Sequence, residues 1–189
     1  MQPNETGALY EERLDSHLLF DGRVVHLYLD RVKLPNGQEA EREYMRHVGA
    51  VCVLPLDKDG NVHCVQQYRY PFAKVLLELP AGKLDSKDED RATAALRELR
   101  EETGFSCGRL TELGDIYTSP AILDEVIRIY LAEDLTPGDT QPDEDEFLAQ
   151  KAIPLEQLAE QVIAGEIPDA KTQIAVLRTV ELLRRRRER

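Results

Sequence analysis

Three glutamates near the end of one short segment are the residues of this sequence best suited to chemistry. Glu98, Glu101 and Glu102 lie within the stretch "RELREETGF". On a helix, side chains three and four residues apart share a face, where like charges destabilise the helix. Either these carboxylates form a solvated acidic surface or a cation neutralises them. Oxygen ligands without a nearby thiolate or imidazole suit a hard divalent ion, so the pattern favours Mg²⁺ or Mn²⁺.

A helix is expected to carry these glutamates. Apolar side chains recur at helical spacing within the segment 91–103, at Ala92, Ala95, Leu96 and Leu99. This pattern predicts an amphipathic helix that ends at Gly104. With Leu96 and Leu99 on the buried stripe, the glutamates project away from the core at one edge. Arg97 can pair with an upstream carboxylate and so hold the loop 82–89 against the helix.

The remaining chain predicts a mixed α/β (α+β) architecture. Residues 8–47 have the pattern of an antiparallel β meander with a hairpin turn at "PNGQ". Later segments read as strands at 49–57, 62–71, 75–82, 109–121 and 125–135, and as helices at 154–167 and 169–187. The Pro-, Gly- and acid-rich segment 136–146 is expected to be a loop. This order favours a mixed sheet with helices packed on its faces, and two domains, 1–47 and 48–189.

Composition excludes several function classes. A net charge of -12 and a pI near 4.8 argue against binding to nucleic acid or to anionic membranes. No apolar run approaches the roughly 20 residues that span a bilayer, and the N-terminus lacks a secretion-signal pattern. Cys52, Cys64 and Cys107 lack metal-ligand spacing. Reduced, packed thiols in a cytoplasmic protein are therefore expected.

The stretch "RELREETGF", with Gly82 and Glu89 upstream, closely resembles the Nudix box of the Nudix hydrolases. Six residues, Lys83 to Asp88, separate the glycine from the glutamate, where the family has five; alternatively, Asp88 takes the place of that glutamate. The resemblance implies the Nudix fold, a mixed sheet sandwiched between helices. It also implies hydrolysis of nucleoside diphosphates linked to another group.

Features outside the box resemble the ADP-ribose pyrophosphatase group of this family. They are "VQQYRYP", "LELPAG", "SPAILDE", "PDEDEF" and Pro120, which lies sixteen residues after Gly104. Ala121 stands where the group usually has glycine. The implied reaction converts ADP-ribose to AMP and ribose 5-phosphate. Two alternatives remain: a hydrolase of another nucleotide sugar such as GDP-mannose, and a Nudix-fold sensor that binds ADP-ribose without turnover.

The resemblance also implies metal-binding roles. Glu98 and Glu102 would bind the metal, Glu101 would contribute directly or through water, and the backbone carbonyl of Ala81 would add an oxygen. Glu146, in the acidic loop, would be a further ligand.

Catalytic and substrate-binding roles follow from the same resemblance. Glu144 would activate the attacking water, with Glu146 as the other candidate, while Arg97 and Glu98 belong to the catalytic box. Arg69 would bind the diphosphate.

Arg46 and Glu78 are further candidates for substrate contacts. Tyr28, Tyr44 and Phe20 are candidates to stack on the base. The meander also suggests a homodimer whose pocket is built from both subunits.

Overall fold

The computed structural model describes residues 7–141 and 146–189, and within them the backbone forms ten β-strands and three α-helices. The chain packs into two units. The first comprises Met1–His47 with Ser119–Glu125, and the second comprises Val48–Thr118 with Val126–Arg189. We keep 1–47 and 48–189 as proposed domains.

The first unit is an antiparallel meander. Strands β1 (Glu12–Asp21), β2 (His26–Lys33) and β3 (Glu39–Arg46) pair in sequential order. The turn between β2 and β3 is closed by the Leu34 amide, which donates to the Gln38 carbonyl at 2.7 Å. The predicted meander and its hairpin turn are therefore confirmed.

The second unit holds seven strands and three helices. The strands are β4 (Ala50–Pro55), β5 (Asn61–Arg69), β6 (Lys74–Glu78), β7 (Ala81–Lys83), β8 (Ser106–Tyr117), β9 (Val126–Thr136) and β10 (Leu148–Pro154). The helices are α1 (Arg91–Thr103), α2 (Leu155–Ile163) and α3 (Ala170–Arg187). One sheet has the order β7-β4-β9-β8 and is mixed, since β4 and β9 run parallel while the other pairs are antiparallel. The other sheet, β10-β5-β6, is antiparallel.

Strand β4 explains how the core is layered. It is buried along its whole length, and its side chains alternate between two apolar clusters. Val51 and Val53 pack in the cluster that contains Leu99 of α1. The other cluster joins β4 to α2 and α3, through Cys52, Leu54, Leu158 and Val176. A continuous apolar strand buried on both faces requires this arrangement, so the predicted sheet between helices is confirmed.

Two strands were not predicted. Strand β7 is separate from β6 and only three residues long, whereas the sequence predicts one strand over 75–82 that ends in a Pro-Ala-Gly turn. Strand β10 has mostly exposed side chains and forms an edge of its sheet, so it lacks the apolar alternation that marks a half-buried strand.

The cysteines are consistent with the packing expected for them. All three are free, and Cys52 and Cys64 are buried. Burial raises the pKa of Cys64 to about 12, so its thiol is protonated and unreactive. Across residues 7–141 and 146–189, no helix combines the length and apolarity needed to cross a bilayer.

Candidate active site

The glutamate-bearing helix is fixed at both ends by its own sequence. At its start, the Asp90 side chain accepts a hydrogen bond from the Thr93 amide at 2.9 Å. At its end, Gly104 adopts a left-handed conformation with φ of 76° and donates to the Arg100 carbonyl. A residue with a Cβ adopts this conformation only at a cost, which explains the glycine.

The face that α1 buries differs from the expected one. Leu96 is 43% exposed, so the prediction that it belongs to the buried stripe was wrong. Glu98 and Glu102 are instead 7% and 5% exposed and lie beside buried Leu99. Because each residue advances about 100° around the helix, positions 98 and 102 lie within about 60° of buried Ala95, whereas position 96 lies about 100° from it. The two glutamates therefore belong to the buried side of the helix.

Gly82 makes room for one of these carboxylates. A Cβ added at Gly82 would lie 2.0 Å from Oε1 of Glu98, well inside contact distance. Gly82 is part of β7, which pairs with β4. A side chain at position 82 would displace the Glu98 carboxylate, so the box glycine allows Glu98 to occupy this position.

Arg97 connects the helix to the preceding loop. Its Nη1 donates to Glu98 Oε1 at 2.7 Å and to Glu101 Oε2 at 3.1 Å. Its Nη2 donates to the Lys83 carbonyl at 3.3 Å and contacts Glu89 Oε1 at 3.5 Å. These contacts hold the loop against the helix, as the sequence predicted.

The loop accommodates its additional residue. Glu89 contacts Arg97 through Oε1 and accepts from the Asp85 amide through Oε2 at 2.6 Å. One carboxylate thus closes the loop and reaches the arginine. These contacts favour the alignment in which Glu89, not Asp88, is the first glutamate of the box.

Glu102 is a buried carboxylate whose charge is only partly offset by its surroundings, because the Ala81 backbone and Lys171 lower its pKa less than the other causes raise it. Its Oε2 is buried and has no hydrogen-bond partner among the described residues. Burial raises the pKa of Glu102 to about 8, and the charges of Glu98 and Glu146 add to the effect. Burial likewise raises the pKa of Glu98 to about 7, although Arg97 opposes the shift. A buried unpaired carboxylate is costly, so a bound cation would stabilise this arrangement.

Glu98 and Glu101 border an open cavity of about 360 Å³. It is lined by residues 82–85, Arg97, Glu98, Glu101 and Glu146. Glu146 therefore lies on the same cavity as two of the predicted helix ligands. Among the described residues, however, no three His, Cys, Asp or Glu side chains are gathered into a metal-holding group. The all-oxygen donors and the orphaned Glu102 oxygen fit a hard divalent cation, while the full ligand set stays a prediction.

The segments that flank the acidic loop are attached to the end of α1. The Gln141 amide donates to the Glu101 carbonyl at 3.0 Å, and Gln150 Nε2 donates to the Glu102 carbonyl at 2.9 Å. The last carbonyls of a helix have no partner within the helix, and these bonds satisfy two of them. Glu144, the predicted base, lies outside the described residues. Sequence reasoning missed Gln150, which has no local signal.

Arg69 and Glu78 form part of a buried ion cluster. Arg69 donates through Nε and Nη2 to the two carboxylate oxygens of Glu78, each at 2.7 Å. Lys171 Nζ also donates to Glu78, and it contacts Asp169 Oδ1 at 2.9 Å. Burial alone would raise the pKa of Glu78, but Arg69 and Lys171 hold it below its ordinary value. Glu78 is 2% exposed, so in this structure it serves to hold Arg69.

The start of α3 builds the other half of this cluster. Asp169 caps the helix by accepting from the Thr172 amide at 3.0 Å and its hydroxyl at 2.6 Å. Thr172 Oγ1 in turn accepts from the Leu79 amide at 2.9 Å. Sequence reasoning missed Lys171 and Asp169. The Asp-x-x-Thr spacing is a helix-start signal that could have indicated Asp169.

Arg46 lies in the first unit, among aromatic side chains. Its guanidinium carbon is 3.9 Å from the ring centroid of Tyr28, and it donates to the Tyr44 hydroxyl at 2.8 Å. The rings of Tyr28 and Tyr44 are stacked at 5.9 Å, while Phe20 is 57% exposed. Arg46 therefore covers one face of Tyr28, and the roles of these residues in substrate binding stay predictions.

Comparison with known proteins shows to which family of proteins this chain belongs. The NUDIX domain model matches residues 45–174. The chain is 40% identical over 171 residues to the ADP-ribose pyrophosphatase of Bacillus subtilis, covering 89% of this chain and 92% of that protein. It is 42% identical over 173 residues to the methanol dehydrogenase activator of Bacillus methanolicus, covering 90% and 93%.

A solved structure described as an ADP compounds hydrolase superposes with a TM-score of 0.84 at 25% identity, covering 93% of this chain and 95% of that one. The chain therefore belongs to the Nudix family, and it is an enzyme of the Nudix pyrophosphatase type. Enzymes of this family generally need a divalent metal cation, which agrees with the buried Glu102 oxygen that has no hydrogen-bond partner among the described residues.

Proposed function

We propose that this protein hydrolyses the diphosphate bond of ADP-ribose, giving AMP and ribose 5-phosphate, with Mg²⁺ or Mn²⁺ as cofactor. The observation that carries the proposal is the buried Glu98–Glu102 pair, whose raised pKa values and unpartnered Oε2 favour a bound cation. The name of the Bacillus subtilis relative supports the choice of substrate.

The proposed metal site uses the oxygens of Glu98, Glu102 and Glu146, the carbonyl of Ala81, and Glu101 directly or through water. The cation would neutralise charge that builds on the diphosphate oxygens in the transition state. Arg97 holds Glu98 and Glu101 in place from the loop side. The helix thus presents Glu98 and Glu101 at a fixed position on the cavity.

Two further residues complete the proposed mechanism. Glu144 removes a proton from the attacking water, which adds to one phosphorus while the other phosphate leaves with its sugar. Arg69 donates to the diphosphate with the N–H groups that Glu78 does not use. Glu78 orients Arg69, and we propose that this is its contribution to substrate binding.

A panel of nucleotide sugars tests the substrate. ADP-ribose should give the highest kcat/KM, with AMP and ribose 5-phosphate as products, and GDP-mannose is the control substrate. Activity should vanish with a chelator and return with Mg²⁺ or Mn²⁺. Preferential cleavage of GDP-mannose would establish the alternative substrate, and turnover that resists chelation would exclude the metal site.

We also propose that the protein is a homodimer formed through the first unit. Apolar side chains are exposed on this unit at Leu14, Leu18, Leu19, Phe20, Val24 and Val25. Apolar patches of this kind mark interaction surfaces more often than scattered single residues do. Sedimentation velocity should report a dimer, and Leu19→Glu should shift it toward the monomer. A monomeric wild type with full activity would exclude a shared pocket.

A further inference from the structure

Arg69 belongs to a cluster of two cations and two carboxylates. The mechanism above gives no role to two members of this cluster, Lys171 and Asp169. Lys171 and Asp169 come from the start of α3, whereas Arg69 and Glu78 come from β5 and β6. The side chain of Lys171 is only 11% exposed, and that of Glu78 is 2% exposed. Buried charges of this kind are retained only when they are paired.

Arg69 differs from its partners because it reaches solvent. Its side chain is 39% exposed, and its bonds to Glu78 use Nε and Nη2. The described hydrogen bonds leave Nη1 available to donate outward. Arg69 also lies close enough to Glu102 for that charge to favour its protonated form. The arginine therefore connects the buried cluster to the carboxylate site on α1.

The charge of the cluster depends on Lys171. With Lys171 present, two cations balance the carboxylates of Glu78 and Asp169. Asp169 also receives hydrogen bonds at the start of α3, where helix amides contribute partial positive charge. Without Lys171, Arg69 alone would face two carboxylates, and the surroundings of its guanidinium would be net negative. A diphosphate would then be repelled.

We propose that Lys171 is a positioning residue for substrate binding: its ammonium group shares the Glu78 carboxylate, so that Arg69 has a fixed geometry and its positive charge is only partly cancelled by Glu78. This inference rests on the proposed role of Arg69. Thr172 supports the arrangement from the backbone, because it accepts from the Leu79 amide directly after Glu78. Helix α3 thereby takes part in binding although Lys171 touches no substrate.

Charge-balanced variants test this role. Lys171→Met should raise KM for ADP-ribose about tenfold, since one charge is lost close to the diphosphate, while kcat changes little. Adding Asp169→Asn removes one carboxylate and keeps a good helix cap. The double variant should therefore recover much of the lost affinity. A role in packing alone predicts the opposite, with further loss in the double variant and parallel losses in kcat and thermal stability.

If Lys171→Met does not fold, a second single variant still tests the proposal. Asp169→Asn by itself makes the cluster more positive and should lower KM; an unchanged or higher KM overturns the proposal.

The affinity for ADP, measured by calorimetry on the same variants, separates the proposed role of Lys171 from the proposed substrate. If the wild type does not cleave ADP-ribose, the proposed substrate is wrong. ADP affinity that still follows the charge balance then supports the role of Lys171, and affinity independent of it rejects that role.

Discussion

Two buried glutamates in this protein have opposite electrostatic character. Glu102 and Glu78 are 5% and 2% exposed, so desolvation disfavours the charge of both. The pKa of Glu102 is raised to about 8, whereas that of Glu78 is held below its ordinary value. The difference lies in their partners: Glu78 is bonded by Arg69 and Lys171, whereas at Glu102 the charges of Glu98 and Glu146 outweigh the Ala81 backbone and Lys171. The region around Glu78 supplies its own cations, whereas the region around Glu102 does not, and the proposed metal ion would fill that role.

The largest effect that we expect is the loss of turnover when Glu102 is replaced. Glu102→Gln should lower kcat about 10²–10³-fold at saturating Mg²⁺, as expected when one group that stabilises developing charge is lost. Circular dichroism should show an intact fold. Glu156→Gln, on the exposed side of α2, is the matched control. Nearly full activity in a folded Glu102→Gln variant would remove the proposed metal site.

The acidic loop offers a second large effect. Glu144→Gln should lower kcat about 10²–10⁴-fold even at saturating Mg²⁺, because a general base acts in the transition state. Glu146→Gln should be partly rescued by additional metal, because a ligand mainly sets metal affinity. Steady-state kinetics across a Mg²⁺ titration distinguish the two. If additional Mg²⁺ rescued Glu144→Gln but not Glu146→Gln, then Glu144 would be the metal ligand and Glu146 the general base.

Replacing Glu78 and replacing Glu102 should change the stability of the protein in opposite directions. Glu78→Gln should destabilise the protein by about 3 kcal/mol, because buried Lys171 keeps only Asp169 as a counter-ion and Arg69 loses both of its bonds. Glu102→Gln should stabilise the metal-free protein at pH 9, because it removes an unpaired buried charge. Urea unfolding in the presence of a chelator measures both. Destabilisation by both substitutions would mean that Glu102 is paired after all.

The smallest effect is a pH dependence of the metal-free protein. The pKa of Glu102 rises from 4.5 to about 8 on folding, so the folded state favours the protonated carboxyl. Its contribution to stability is present below about pH 4.5 and is lost as pH rises toward 8; Glu98 acts in the same direction up to about pH 7. The free energy of unfolding should therefore fall between pH 5 and 9 in chelator and fall less with Mg²⁺. A profile that is flat without metal would contradict the raised pKa values.

Much of the fold could be predicted because its signals are local. The apolar run of β4, the "PNGQ" turn and the capped helix α1 each depend on residues close together in the sequence. Strand β10 could not be predicted, because it is mostly exposed and exists through its pairing with β5. The exposure of Leu96 was misjudged for a related reason. Spacing gives a helical stripe but does not say which side of it meets the sheet.

The sequence by itself determined the family and the helix that carries the glutamates, and it predicted a cation beside them, since these follow from residue types at fixed spacing. Only the tertiary structure decided that Glu98 and Glu102 are buried and that Gly82 makes room for Glu98. It also brought Lys171 to Glu78, ninety-three residues away along the chain. Contacts between distant segments depend on how sheets and helices pack, and no local pattern encodes them.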